Sequence, residues 1–242
     1  LVCEQGVISE IMEERLFSLA GDDRLIDAKG NYVAPGFIDI HTHGGGGHDF
    51  MDGTVAAYLG AAETHARHGT TALLPTTLTS TFDELVNTFA VYKAAVNQNR
   101  KGARFLGLHL EGPYFAYNQR GAQDPKYLRD PEPEEYNRIL AESADIVRWS
   151  LAPELPGALE FGELLASAGI LPSIAHSDAI YEEVLDAFHA GFSHVTHLYS
   201  AMSSVTRRNA FRYAGVLEAA YLIEDMTVEI IADWVHLPKP LL

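Results

Sequence analysis

Along most of this chain, short apolar runs alternate with longer stretches in which apolar residues recur every three or four positions. The first pattern predicts buried strands and the second amphipathic helices. Strands are expected at 36–41, 71–77, 104–111, 146–152, 171–176, 193–198 and 227–232, and helices at 55–68, 82–98, 133–143, 159–168 and 181–190. Their alternation predicts βα units and a parallel sheet. Thr81 and Pro133 stand where helices should start, and Gly69, Gly102, Gly169 and Gly191 where they should stop. Before Lys29-Gly30-Asn31 the pattern differs. Val7–Ile11 and Arg24–Asp27 flank the turn-forming Gly21-Asp22-Asp23, which predicts small β structure that needs a partner surface to bury anything.

Composition narrows the possibilities. With 242 residues, 47% of them hydrophobic, the chain has material for one large domain and a small appendage. Lys and Arg number 17 against 33 Asp and Glu, a net charge of −16, and no basic cluster follows a phosphate backbone, which argues against nucleic acid and anionic membranes as partners. A single cysteine, Cys3, forms no internal disulfide, so the cytoplasm is the expected location. No apolar run approaches the ~20 residues of a spanning helix. A first residue of Leu, running directly into strand-like sequence, predicts a chain that begins partway into a longer protein.

The candidate chemistry lies at the ends of the predicted strands. His41 and His43 are two apart at the first strand's end, so their imidazoles share a face. Glu111, His176 and His197 close three later strands. In a parallel barrel all C-terminal strand ends lie on one face, so five ligands would converge there. Imidazole and carboxylate without cysteine is the donor set of a catalytic divalent ion, most simply zinc, with iron, manganese or cobalt as alternatives and one or two ions bound. Any one of these histidines alone reads as an ordinary hydrogen-bonded strand-end residue; the coincidence at corresponding ends favours a metal. His109 shares the inward face with Glu111 and is expected to orient it. His48, His65, His68 and His189 read as loop or helix-surface residues, whereas His236, beyond the seventh strand, is expected to contact substrate. The run Gly44–Gly47 suits close backbone approach to a ligand or to an adjacent strand.

Several segments resemble the ordered motifs of N-acetylglucosamine-6-phosphate deacetylases, members of the amidohydrolase superfamily. They are Pro35-Gly36-Phe37-Ile38-Asp39-Ile40-His41-Thr42-His43-Gly44, Gly107-Leu108-His109-Leu110-Glu111-Gly112-Pro113-Tyr114, Ala175-His176-Ser177, Thr196-His197-Leu198-Tyr199-Ser200-Ala201-Met202 and Ile230-Ile231-Ala232-Asp233-Trp234-Val235-His236. The resemblance implies an α/β fold, a metal-dependent (β/α)8, TIM-like barrel over residues 35–242, with residues 1–34 supplying part of a small β-sandwich. It implies that Glu111, His176 and His197 are the principal metal ligands and that His41 and His43 complete that site or bind a second ion. By the same resemblance His236 polarises the substrate amide, and Gln123, Ser200, Ala201 and Arg208 lie where substrate is contacted. Arg208 matches an arginine that reaches across a homodimer to the sugar phosphate. The implied reaction is attack of metal-bound water on the acetamide of an amino sugar phosphate.

The text also departs from the family. Only seven strands are predicted, so the barrel is expected to lack its eighth here, and with it the general-base aspartate that the family places at that strand's end. Ser200 stands where these deacetylases carry asparagine, and Arg207–Arg212 replaces a glycine-containing loop near the phosphate site. Asp178 and Asp233 are the nearest stand-ins for the base. Two other functions therefore stay open: hydrolysis of a different amide, or metal and sugar binding without turnover.

Overall fold

Alternating pattern becomes alternating structure in the computed structural model, which describes residues 1–242 and divides into two units, Leu1–Pro35 and Gly36–Leu242. In the first unit β1 (Val2–Glu4) and β2 (Val7–Glu10) form an antiparallel hairpin, turned by Gln5 and Gly6, both at positive φ. No residue of this unit is buried. The strand expected at Arg24–Asp27 does not form: Leu25 and Ile26 are exposed, and with no surface to cover them the apolar pair has nothing to pair against.

The second unit runs β3 (Phe37–Thr42), β4 (Gly44–Gly45), β5 (His48–Asp49), α1 (Val55–Arg67), β6 (Thr70–Pro75), α2 (Phe82–Gln98), β7 (Arg104–Phe105) and β8 (Leu108–Glu111). It continues with α3 (Pro133–Glu142), β9 (Ile146–Leu151), α4 (Ala158–Ser167), β10 (Leu171–Ile174), α5 (Tyr181–His189), β11 (His194–Val195), β12 (Thr206–Arg208), β13 (Phe211–Tyr213), α6 (Val216–Leu222) and β14 (Thr227–Val228). The helix starts follow the capping residues. Thr54 accepts from the Ala57 N–H, Thr81 and Glu84 form a reciprocal box, and Pro133 opens α3.

The strands form two parallel sheets, β3-β6-β7 and β14-β11-β10-β9-β8, joined by a parallel bridge from Thr76 to His109. Two expectations need correcting. The single strand at 104–111 is broken at Gly107, whose φ of +139° and whose missing Cβ, which would sit 2.6 Å from Val147, mark a bend that only glycine accommodates. The last two strands are also shorter than the apolar runs suggest, ending at Val195 and Val228, because the chain turns there to present side chains.

Alternation along the strands sorts the two faces. Leu108, Leu110, Trp149, Leu151, Ile174 and Val195 pack with Tyr136, Phe161, Leu165, Val184 and Phe192 from the helices into one buried core. Trp149 is fully buried, stacked on Tyr114 and edge-on to Phe161, with its indole N–H donating to the Gly112 carbonyl at 2.9 Å. The opposite face carries His109, Glu111, Arg148, Ser150, Ser173 and Thr196, all buried and polar. Such groups persist inside a protein only when they satisfy one another. No helix is long and apolar enough to cross a membrane.

Candidate metal centre

Four imidazoles meet one carboxylate where the strands end. Glu111 closes β8 and is 2% exposed at its side chain; one of its oxygens lies 3.3 Å from His41 Nε2, 3.4 Å from His176 Nε2 and 3.3 Å from His197 Nε2. The other oxygen lies 3.2 Å from His43 Nε2 and accepts the Gln123 amide at 2.8 Å. All five candidate ligands named from the sequence are thus brought together, although His176 and His197 sit just beyond β10 and β11 rather than inside them. Both histidines have left-handed backbones, φ +48° and +34°, so the turn that aims each imidazole is strained.

Outer groups orient most of these side chains. Gln123 is engaged at both ends of its amide, donating to Glu111 and accepting the Thr79 N–H at 3.0 Å, so it orients the carboxylate. His176 Nδ1 lies 2.7 Å from the Gln119 carbonyl, and His43 Nδ1 lies 3.3 Å from that of Thr76. His109 does not reach Glu111 as expected. It lies between Thr76 Oγ1 at 3.2 Å and Ser150 Oγ at 2.7 Å, with its ring edge-on to His41.

Two members of the site escaped the sequence reading. Glu229, directly after β14, approaches His41 Nδ1 at 2.7 Å with one oxygen and accepts from Arg148 at 2.7 Å with the other. Arg148 is 1% exposed at its side chain and also donates to Ser173, Thr196 and the Ile40 carbonyl. Both carried a signal: a lone acidic residue inside Thr227-Val228-Glu229-Ile230-Ile231-Ala232, and a lone arginine inside Ile146-Val147-Arg148-Trp149-Ser150-Leu151.

The charges interlock. Burial opposes ionisation of Glu111, yet His41 beside it and hydrogen bonds from His176, His197 and His41 hold its carboxyl well below the usual range. Burial likewise opposes Glu229, and the hydrogen bonds and charges of His41 and Arg148, with His194 Nε2 standing 3.6 Å away, override it. Burial would depress His41, but Glu111 and Glu229 outweigh that and raise it to about 9. His109 is pushed down by burial and then by the positive charge of Arg148 and His41, whereas burial pushes His197 down against the opposing pull of Glu111.

The remaining candidates make no side-chain hydrogen bond to this cluster. His236 is on an exposed turn well beyond the end of β14 at Val228, with Nδ1 bonded to Asp233 at 2.8 Å. Asp178 accepts from Asn118 at 3.0 Å and Gln119 at 2.7 Å, while Arg208, on the β12–β13 hairpin, donates to its carbonyl at 3.1 Å. Ser200 and Ala201 are half-buried in the turn after His197, which holds positive φ at His197, Tyr199 and Ala201. His65, expected at the helix surface, instead faces β4, 3.0 Å from the Gly44 carbonyl and 3.2 Å from Thr42 Oγ1.

The donor set fits a divalent cation. His41–His43–Glu111 and Glu111–His176–His197 each bring three ligand atoms together. Within them the donors stand 3.2–3.4 Å apart, nitrogen facing nitrogen in the pairs His41–His43 and His176–His197. Donors around a tetrahedral ion with bonds of about 2.0–2.1 Å are separated by about this much. Lone pairs that face each other so closely need a proton or a cation between them, most of all in the buried pair His176–His197.

A family-wide comparison matches residues 32–240 to the amidohydrolase family. The chain is 35% identical over 216 residues to the N-acetylglucosamine-6-phosphate deacetylase of Haemophilus influenzae, covering 88% of this chain and 55% of that protein. The crystal structure of N-acetylglucosamine-6-phosphate deacetylase from Pasteurella multocida matches with a TM-score of 0.80 at 32% identity, over 90% of this chain and 56% of that one. A mutant of the Mycobacterium smegmatis deacetylase, solved in complex with N-acetyl-D-glucosamine-6-phosphate, matches with a TM-score of 0.76 at 34% identity, over 84% and 51%. The chain spans little more than half the length of these relatives. Matched over most of its own length, and with side chains that could hold a metal ion gathered at the ends of its parallel strands, the chain belongs to the amidohydrolase family.

Proposed function

We propose that this chain carries most of the (β/α)8-type barrel and metal centre of an enzyme that hydrolyses N-acetylglucosamine 6-phosphate to glucosamine 6-phosphate and acetate. The observation that carries the reading is the meeting of Glu111 with His41, His43, His176 and His197 at the strand ends. Zinc is the expected ion and a cytoplasmic homodimer the expected form. A divalent ion held there would polarise the amide carbonyl and make a hydroxide available at neutral pH. The protein's own contribution is orientation. Glu111 is kept ionised by the imidazoles around it, and Gln123 prevents its carboxylate from rotating. His236 is the proposed donor to the developing oxyanion, with Asp233 at its Nδ1 fixing the ring and leaving Nε2 to face the carbonyl oxygen. Ser200, Ala201 and Arg208 are the proposed contacts to the sugar and its phosphate.

A second reading, hydrolysis of a different amide, is favoured by Arg208, whose guanidinium is turned onto the Asp178 carbonyl. The discriminating experiment is amine release from N-acetylglucosamine 6-phosphate and from the unphosphorylated sugar by the zinc-reconstituted chain. Release confined to the phosphorylated sugar supports the proposal. No release from either, by protein shown to hold zinc, refutes it for this chain.

A further inference from the structure

We propose that Glu229, clamped by Arg148, is the positioning residue for His41 and so governs how tightly the His41–His43 half of the centre holds its ion. The proposal rests on the reading of His41 as a ligand. An imidazole ligates through one nitrogen only if the other carries the proton. His41 points Nε2 at Glu111, 3.3 Å away, and at His43, 3.4 Å away, so its proton belongs on Nδ1, where Glu229 waits at 2.7 Å.

The four imidazoles are not equivalent in this respect. His176 and His43 meet backbone carbonyls through Nδ1, and His197 Nδ1 is buried with no partner. His41 alone has a carboxylate, which makes it the most electron-rich donor of the set. Glu229 is itself held tightly. Its backbone N–H donates to the Val195 carbonyl at 3.1 Å, and its own carbonyl accepts from Leu198 at 2.8 Å. Arg148 fixes its second oxygen, while the first also accepts the His197 backbone N–H at 3.2 Å. The same guanidinium nitrogen of Arg148 donates to the carbonyl of Ile40, the residue before His41. One carboxylate therefore sets the ring of His41 and touches the backbone of His197, and one arginine sets that carboxylate and the strand that carries His41.

The test is zinc affinity of the chelator-stripped full chain by equilibrium dialysis, for wild type, Glu229→Gln, Glu229→Asp, His41→Asn and the double variant Glu229→Gln/His41→Asn. The Asp variant keeps a charge facing Arg148 while withdrawing it from His41, so it serves if the Gln variant fails to fold. Either substitution at 229 should weaken zinc binding ~10–100-fold, the usual effect of losing such a partner. In the His41→Asn background Glu229→Gln should add less than about twofold, because the ligand it acts through is gone. The zinc-loaded wild type should also show a slowly exchanging Nδ1–H resonance, absent in His41→Asn and displaced in the 229 variants. Equal losses in both backgrounds would mean a general structural effect and overturn the proposal, as would unchanged affinity in both 229 variants. Zinc binding unaltered by His41→Asn would overturn the ligand reading itself, a different pattern from either.

Discussion

The most exposed commitment of this structure to experiment is the buried pair Arg148–Glu229. Arg148 is 1% exposed at its side chain and makes four hydrogen bonds, to Ser173, Thr196, the Ile40 carbonyl and Glu229. Replacing it with Met keeps most of its volume and removes all four, leaving the Glu229 carboxylate beside His41 without its arginine. Charge centres about 4 Å apart attract by roughly 4 kcal/mol at an effective dielectric near 20. Breaking a buried pair from one side typically costs about 3–5 kcal/mol. Arg148→Met should therefore lose about 3–5 kcal/mol, whereas Arg148→Met with Glu229→Gln should recover at least ~1 kcal/mol of the sum of the single losses. The assay is urea unfolding of the chelator-treated chain, so that no bound ion contributes through linkage. Constant m-values would show that the midpoints report stability alone. Additivity of the two substitutions within ~0.5 kcal/mol, or a loss under ~1 kcal/mol for Arg148→Met, would refute the account of an interlocked pair.

Other consequences can be checked directly. Glu111→Gln and His176→Asn should each abolish turnover and bound zinc with folding intact, read by metal analysis beside circular dichroism; unchanged turnover in both would sink the hydrolase proposal. His41 is raised to about 9 from an ordinary 6.5, so its contribution to the stability of metal-free protein is fully present below about pH 6.5 and lost as pH rises through 9. Denaturation midpoints from pH 6 to 10 should fall, and the slope should flatten in His41→Asn. Gly162→Ala would place a Cβ 2.1 Å from the Phe192 ring and should destabilise by roughly 1–3 kcal/mol in thermal unfolding. Arg208→Ala should raise KM for the phosphorylated sugar while leaving that for the unphosphorylated one unchanged; equal effects on both would remove Arg208 from phosphate recognition.

The helices were legible almost residue by residue, because their signals are local: Thr81 with Glu84 caps one, Pro133 opens another, and Phe82–Gln98 forms as predicted. The ligands were legible for a related reason. A histidine or glutamate ending an apolar run is visible without knowing what it meets. What it meets is not. Glu229 finds His41 across 188 positions and Arg148 across 81, separations that no periodicity encodes. The strand at 104–111 looked continuous because hydrophobicity does not register the backbone angle at Gly107, and 193–198 looked longer than it is because Thr196, His197 and Leu198 stay buried past the end of β11. The short helix at Val216–Leu222 and the hairpin before it were not anticipated, being brief and lacking clear flanking signals.

The left-handed backbones at His176 and His197 set stability against usefulness at the same two positions. A side chain with a Cβ is disfavoured in that conformation by about 1–2 kcal/mol, and glycine is not. Selection for robustness alone, in a display library sorted by heat resistance without substrate, should therefore drift toward glycine at both sites. Selection for turnover should hold histidine there, and the two enriched populations would separate folding from function position by position.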